Sequence, residues 1–200
     1  MPLGRAPTRL VGFDPGLATF GAAAVAVSGG RRTLIDLQFW GSKRNPKLQV
    51  TTDRYRRSLA LGDLVRAYLE HHRPAAVCCE VSWMTRGQNA VISLAIAFAI
   101  VTTVCGELGV PLVPCTPIEI KRAVTGCAAR DVRNVDDVQL RRALVRAYPP
   151  AAQFIKSVKE ANRQHPFDGL GAIETLRGHP TVTEAIARSQ HERVQDPPRR

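Results

Sequence analysis

Leu10-Val11-Gly12-Phe13-Asp14-Pro15-Gly16-Leu17-Ala18-Thr19-Phe20-Gly21 is the stretch on which the fold turns. A short apolar run ends on one carboxylate, Asp14, and a second apolar run, Gly21 to Val27, follows. Proline fixes φ and glycine permits positive φ, so Pro15-Gly16 between two β-type runs reads as a tight turn. Asp14 then stands at the end of a buried strand, where a lone carboxylate needs a cation or donors. A bare Asp-Pro-Gly also describes an acid closing a turn on its own backbone, so the rest of the chain has to decide.

Working outward, strands are expected over Arg9–Phe13, Phe20–Val27 and Arg32–Trp40, the last two joined at Gly29-Gly30. A polar, basic loop carries Lys43, Arg44 and Lys47. Thr52 can cap a helix reaching His72, with Tyr55, Leu59, Val65, Tyr68 and Leu69 on one stripe. Ala75–Glu80 and Val110–Cys115 read as two more strands, linked by a long apolar helix from Gln88 to Leu108. A strand–helix–strand unit with short links implies parallel pairing. The expected fold is α/β: a five-stranded mixed sheet, three antiparallel strands then two parallel ones, flanked by helices. Beyond it come a short helix Pro117–Val124, a basic loop Gly126–Asn134 and a helix Asp136–Tyr148. A charged, mobile segment Phe154–Gln164 and a last helix Phe167–Arg177 complete the reading. One domain is expected over 9–178, with a flexible start 1–8 and a polar basic tail 179–200.

Two hundred residues, 44% hydrophobic, suffice for one core. The net charge of +11 favours an anionic partner, nucleic acid before a membrane surface. Further basic clusters are Arg54/Arg56/Arg57, Arg141/Arg142/Arg146 and Lys156/Lys159/Arg163. Ala90–Cys105 falls short of the roughly 20 apolar residues of a membrane span and carries Ser93, Thr102 and Thr103, so a core or dimer helix is expected. No secretory h-region opens the chain, and five cysteines without a Cys-x-x-Cys pair fit buried thiols in the cytoplasm rather than zinc.

Asp14 and Glu80 each end an apolar run, and Asp168 sits among Phe167, Leu170, Gly171 and Ala172, one turn from His165. Three carboxylates and an imidazole could hold two Mg²⁺ ions, which clamp the attacking and leaving oxygens of a phosphodiester when about 3.5–4 Å apart.

Gly12-Phe13-Asp14-Pro15-Gly16 with Gly21 resembles the opening motif of RuvC-type Holliday-junction resolvases, in the ribonuclease H-like superfamily. Glu80-Val81-Ser82-Trp83 is similar to that family's second motif, and Asn89 and Ser93 fall near its asparagine and serine. Pro117 to Gly126 resembles the third block and His165 to Ala172 the closing one.

The resemblance implies a homodimeric endonuclease that nicks four-way DNA junctions, leaving 5′-phosphate and 3′-hydroxyl ends. It uses two Mg²⁺ per site, with Mn²⁺ able to substitute. Asp14, Glu80 and Asp168 are implied as metal ligands, His165 as a fourth ligand or base, and Lys121 as the cation facing the scissile phosphate. Trp83, Arg86, Asn89, Lys121, Arg122, Arg130 and Arg133 are implied as DNA contacts, Trp83 by stacking on a base. The helix 88–108 becomes the dimer seam, and a branch-migration complex a further partner. Two other readings stay open: flap, R-loop or RNA–DNA hybrid substrates, and a non-catalytic junction-binding module. Asp136-Asp137 stands where the family usually has a second lysine, a role Arg130 or Arg133 could take. Ala95-Ile96-Ala97-Phe98 replaces the family's usual Gly-Gln, and Phe20 a small hydroxylated residue.

Overall fold

The computed structural model describes residues 7–82, 87–180, 182–184 and 187. Five strands, β1 (Thr8–Asp14), β2 (Thr19–Ser28), β3 (Arg31–Gly41), β4 (Ala76–Glu80) and β5 (Leu112–Cys115), form one sheet in the order β3-β2-β1-β4-β5. β1 pairs antiparallel with β2, β2 antiparallel with β3, and β1–β4 and β4–β5 run parallel. This is the expected mixed sheet. The β2–β3 hairpin turns at Gly29 and Gly30, both at positive φ, as a two-residue loop requires. Pro15-Gly16 behaves differently from the expected tight turn. Gly16 is not at positive φ; it is small because a Cβ there would lie 2.3 Å from the Thr19 carbonyl oxygen.

Alternate residues of the central strands face opposite layers. Val11, Phe13, Ala22, Ala24, Val77 and Cys79 meet α1 (Val50–His72) and α2 (Gln88–Glu107). Leu10, Ala23, Val25 and Cys78 meet α3 (Pro117–Thr125), α4 (Asp137–Ala147) and α6 (Gln164–Thr175). Phe167, Leu170 and Ile173 of α6 are fully buried, each contributing about 2 kcal/mol of transfer free energy.

Several boundaries differ from the sequence expectation. α1 starts at Val50 after Gln49, so Thr52 is inside the helix and caps nothing. Its buried stripe is Leu61, Val65, Tyr68, Leu69 and His72, whereas Tyr55 and Leu59 are 66% and 53% exposed. β5 omits Val110, and Val132–Asn134 inside the basic loop forms a 3-10 turn with Val132 buried. The charged segment Phe154–Gln164 carries the end of α5 (Ala151–Ser157) and a 3-10 turn, Glu160–Asn162. α6 begins at Gln164, three residues early, because Pro166 in a first turn forfeits no intrahelical hydrogen bond. Thr8 already belongs to β1, and Val182, beyond Gly178, is buried in the core against the α6 side. The other residues of the expected tail are largely outside the described residues.

α2 is long and apolar enough, by length and composition, to cross a membrane. Ala97, Val101, Val104 and Cys105 seat one stripe of it on the sheet, and Val91, Ala99 and Thr102 remain exposed. α3 follows the rules of its sequence: Thr116 and Glu119 form a capping box, Pro117 opens the helix and Gly126 closes it in the left-handed region.

Candidate metal centre

β1 and β4 run parallel with Phe13 opposite Cys79, so the next residues, Asp14 and Glu80, end side by side. Asp14 also pairs with Gly21 of β2. A Cβ at Gly21 would lie 2.0 Å from the His165 carbonyl oxygen, and one at Gly12 would lie 1.9 Å from that of Gly169. Both positions therefore have to be glycine for α6 to rest backbone-to-backbone on β1 and β2. That contact brings the N-terminal end of α6, with His165 and Asp168, against Asp14.

Oxygens of Asp14, Glu80 and Asp168 lie within 4.8 Å of one another, a group able to hold a metal ion. His165 Nδ1 is 2.5 Å from Asp14 Oδ2. The imidazole also stacks near Phe39 of β3, ring centroids 6.4 Å apart. Gln164 Nε2 donates to Asp168 Oδ1 at 2.6 Å. Lys121, on α3, donates from Nζ to the Val135 carbonyl at 2.6 Å.

The electrostatics are those of a pocket short of positive charge. Burial, then Asp14 and Asp137, push the Glu80 carboxyl up to about 8, and the Lys121 charge pulls it partly back. Burial, then Glu80 and Asp14, raise Asp168 well above the carboxylate range. The hydrogen bond to Asp14 raises His165 above the usual imidazole value. A hard divalent cation, bound by a few carboxylates and keeping several waters, fits this all-oxygen donor set.

Other expected site residues are placed less closely. Asn89 accepts a hydrogen bond from Arg54 Nη2 at 2.8 Å. Arg122, Arg130 and Arg133 are exposed. Arg122 lines a separate cavity of about 410 Å³ with Cys115, Thr175 and His179. Arg130 pairs with Asp131 at 3.5 Å. Trp83 and Arg86 lie outside the described residues. Of the two acids at the lysine position, Asp136 caps α4 with Gln139. Asp137 instead adds negative charge to the pocket, acting on both Glu80 and Asp168.

Among solved structures, the chain is similar to Thermus thermophilus RuvC in complex with a Holliday junction substrate. The TM-score is 0.63 at 23% identity, over 88% of this chain and 96% of that one. It is also similar to the yeast mitochondrial Holliday junction resolvase Ydc2, with a TM-score of 0.58 at 11% identity over 97% and 86% of the two chains. The fold is thus that of the ribonuclease H-like resolvases, with three acids gathered at the ends of its central strands and on the helix laid across them. A crossover junction endodeoxyribonuclease RuvC of Leifsonia xyli subsp. xyli is 31% identical over 168 residues, 84% of this chain and 78% of that protein. Residues 10–150 match the family described as "Crossover junction endodeoxyribonuclease RuvC", and the chain belongs to that family.

Proposed function

We propose that the chain resolves four-way DNA junctions by divalent-metal hydrolysis of two phosphodiesters, leaving 5′-phosphate and 3′-hydroxyl ends. The observation that carries this is the convergence of Asp14, Glu80 and Asp168 from two strands and a helix. These three would hold two Mg²⁺ ions, with Mn²⁺ as a substitute. When bound, the metal supplies Lewis-acid stabilisation of the phosphate and an activated water. His165 steadies Asp14 and stands as a fourth ligand or base. Lys121, close enough to act on Glu80, offsets negative charge growing on the scissile phosphate. Trp83, Arg86, Asn89, Arg122, Arg130 and Arg133 are assigned to DNA on the family resemblance.

The uncovered side of α2 supports a homodimer. Val91, Ala95, Ala99 and Thr102 recur at helical spacing along it, and two-fold symmetry would present two such sites to a two-fold junction. The partners are then branched DNA, a second copy and a branch-migration complex, in the cytoplasm. Intact carboxylates argue for a working nuclease over a passive binding module.

A four-way junction incubated with protein and Mg²⁺ tests the reading. Symmetric paired nicks, lost in Asp14→Asn, are expected. Cleavage unaffected by Asp14→Asn, or confined to flaps, R-loops or RNA–DNA hybrids, would overturn it.

A further inference from the structure

Arg57 belongs by sequence to a surface cluster with Arg54 and Arg56, yet its side chain is only 12% exposed. Its Nη1 pairs with Asp53 Oδ2 at 3.4 Å, its Nε donates to Ser42 Oγ at 2.8 Å, and its Nη2 donates to the Leu17 carbonyl at 2.9 Å. Buried Asp53 accepts the Asn45 N–H at 2.8 Å, a bond that holds its carboxyl below the usual range, with Arg57 adding to the effect. Ser42 closes the arrangement, its N–H donating to Ala18 O at 2.9 Å and its hydroxyl to Leu17 O at 2.5 Å.

One buried ion pair therefore ties two loops together. The first is Pro15–Ala18, directly after Asp14. The second, 42–49, follows β3, which ends two residues after Phe39, the ring beside His165. It turns at Asn45-Pro46, where Asn45 Oδ1 accepts the Lys47 N–H at 3.0 Å. Lys43, Arg44 and Lys47 project from it exposed, and no carboxylate pairs with them among the described residues. Three unpaired cations on a pinned loop, beside a metal pocket, match the spaced charges of a nucleic-acid backbone.

We propose that the 42–49 loop is a phosphate grip for branched DNA, and that Arg57 and Asp53 are positioning residues that hold it rigidly against the turn following Asp14. This rests on the nuclease reading above. A held loop loses little freedom on binding, so its cations bind phosphates more tightly than the same charges on a slack loop. Arg57 acts through the loop and touches no phosphate itself.

The test is junction affinity in EDTA, measured by fluorescence anisotropy across a sodium chloride series. Each neutralised phosphate contributes about 0.9 to the slope of log K against log salt. The triple variant Lys43→Gln/Arg44→Gln/Lys47→Gln should lower that slope by about 2–3. Arg57→Gln leaves the three loop cations in place, yet should lower the slope by about 1 or more and weaken binding at least several-fold. Arg57→Lys, which keeps the charge without the fork, should not restore it. Asp53→Asn is the milder second variant. Arg66→Gln, at an exposed pair with Glu107, should leave the slope unchanged. A wild-type slope in the triple variant overturns the grip, whatever the fold of the Arg57 variants. A wild-type slope in folded Arg57→Gln and Asp53→Asn overturns the positioning role. An equal loss in Arg66→Gln reduces the effect to bulk charge. If wild-type protein neither prefers a junction to duplex nor cuts it with Mg²⁺, the nuclease reading fails instead.

Discussion

The two faces of the sheet are built to different tolerances. On the α6 side, helix and strands meet backbone-to-backbone through Gly12 and Gly21, leaving no room for a methyl group. On the α1–α2 side the contacts are between side chains: Phe13, Phe20, Trp40 and Tyr68 interlock with ring centroids about 5–6.5 Å apart. The first face fixes the distance between a strand-end acid and a helix acid, which a metal pocket requires. The second carries more apolar surface than the sheet can cover, with Tyr55, Leu59 and Val91 left outside. One side of the molecule is specified for chemistry, and the other keeps an exposed apolar stripe.

The largest expected effect breaks the comparison at its tight side. Gly21→Ala should displace α6 and lower Mn²⁺ affinity and junction cleavage together by at least 100-fold, with a stability loss of about 3 kcal/mol. Gly62→Ala on α1 meets only Ile100 Cγ2 at 3.9 Å, and should leave cleavage intact while adding about 0.5–1 kcal/mol of stability. Calorimetric metal titration and thermal melts read both variants. If Gly21→Ala behaves like Gly62→Ala, the contrast between the faces is wrong.

A smaller effect follows from the acids themselves. Glu80, pushed up to about 8 without metal, is largely protonated at neutral pH and must release that proton to bind a cation. Apparent Mn²⁺ affinity should therefore fall as pH drops below 8, by about tenfold per unit for each proton that Glu80 or Asp168 must release. A flat profile between pH 6 and 8 contradicts the raised carboxyl.

On the open side, Val91→Glu with Ala99→Glu places charge on the uncovered stripe of α2. The dimer dissociation constant by analytical ultracentrifugation should rise at least tenfold, about 1.4 kcal/mol, without a change in monomer melting. A monomeric wild-type protein would mean that this face seats something else.

The smallest effect belongs to His72, at the end of α1 and 2% exposed, with Asp36 Oδ2 3.4 Å from its Nε2. Burial lowers its affinity for a proton, against the opposing pull of Asp36. A folded-state value below the unfolded one means stability present above about pH 6.5 and lost as pH falls through the folded value. The difference in melting temperature between wild type and His72→Gln should shift in that window and be constant above pH 7.5.

How much of this was legible in the sequence follows from how local each signal is. The sheet could be read because apolar runs and Gly29-Gly30 are written within a few residues. Asp14 and Glu80 could be read because each closes such a run. Asp168 stood out as an acid among Phe167, Leu170 and Ala172. Arg57 was illegible: its partners Leu17 and Ser42 are 40 and 15 residues away. Tyr55 and Leu59 misled because helical periodicity reports an apolar face without saying what covers it. α5 was hidden because it is only seven residues long and runs into the charged residues Lys156, Lys159, Glu160 and Arg163, and the role of Asp137 by its dependence on where α4 meets the pocket.

Three acids share one pocket, and crystals soaked in Mn²⁺ test that directly by anomalous scattering. Peaks are expected at about 2.1–2.2 Å, the usual metal–carboxylate distance, from oxygens of Asp14, Glu80 and Asp168, and are expected to vanish in Asp14→Asn. Manganese bound elsewhere, or an empty pocket at saturating Mn²⁺ above pH 8, would contradict it.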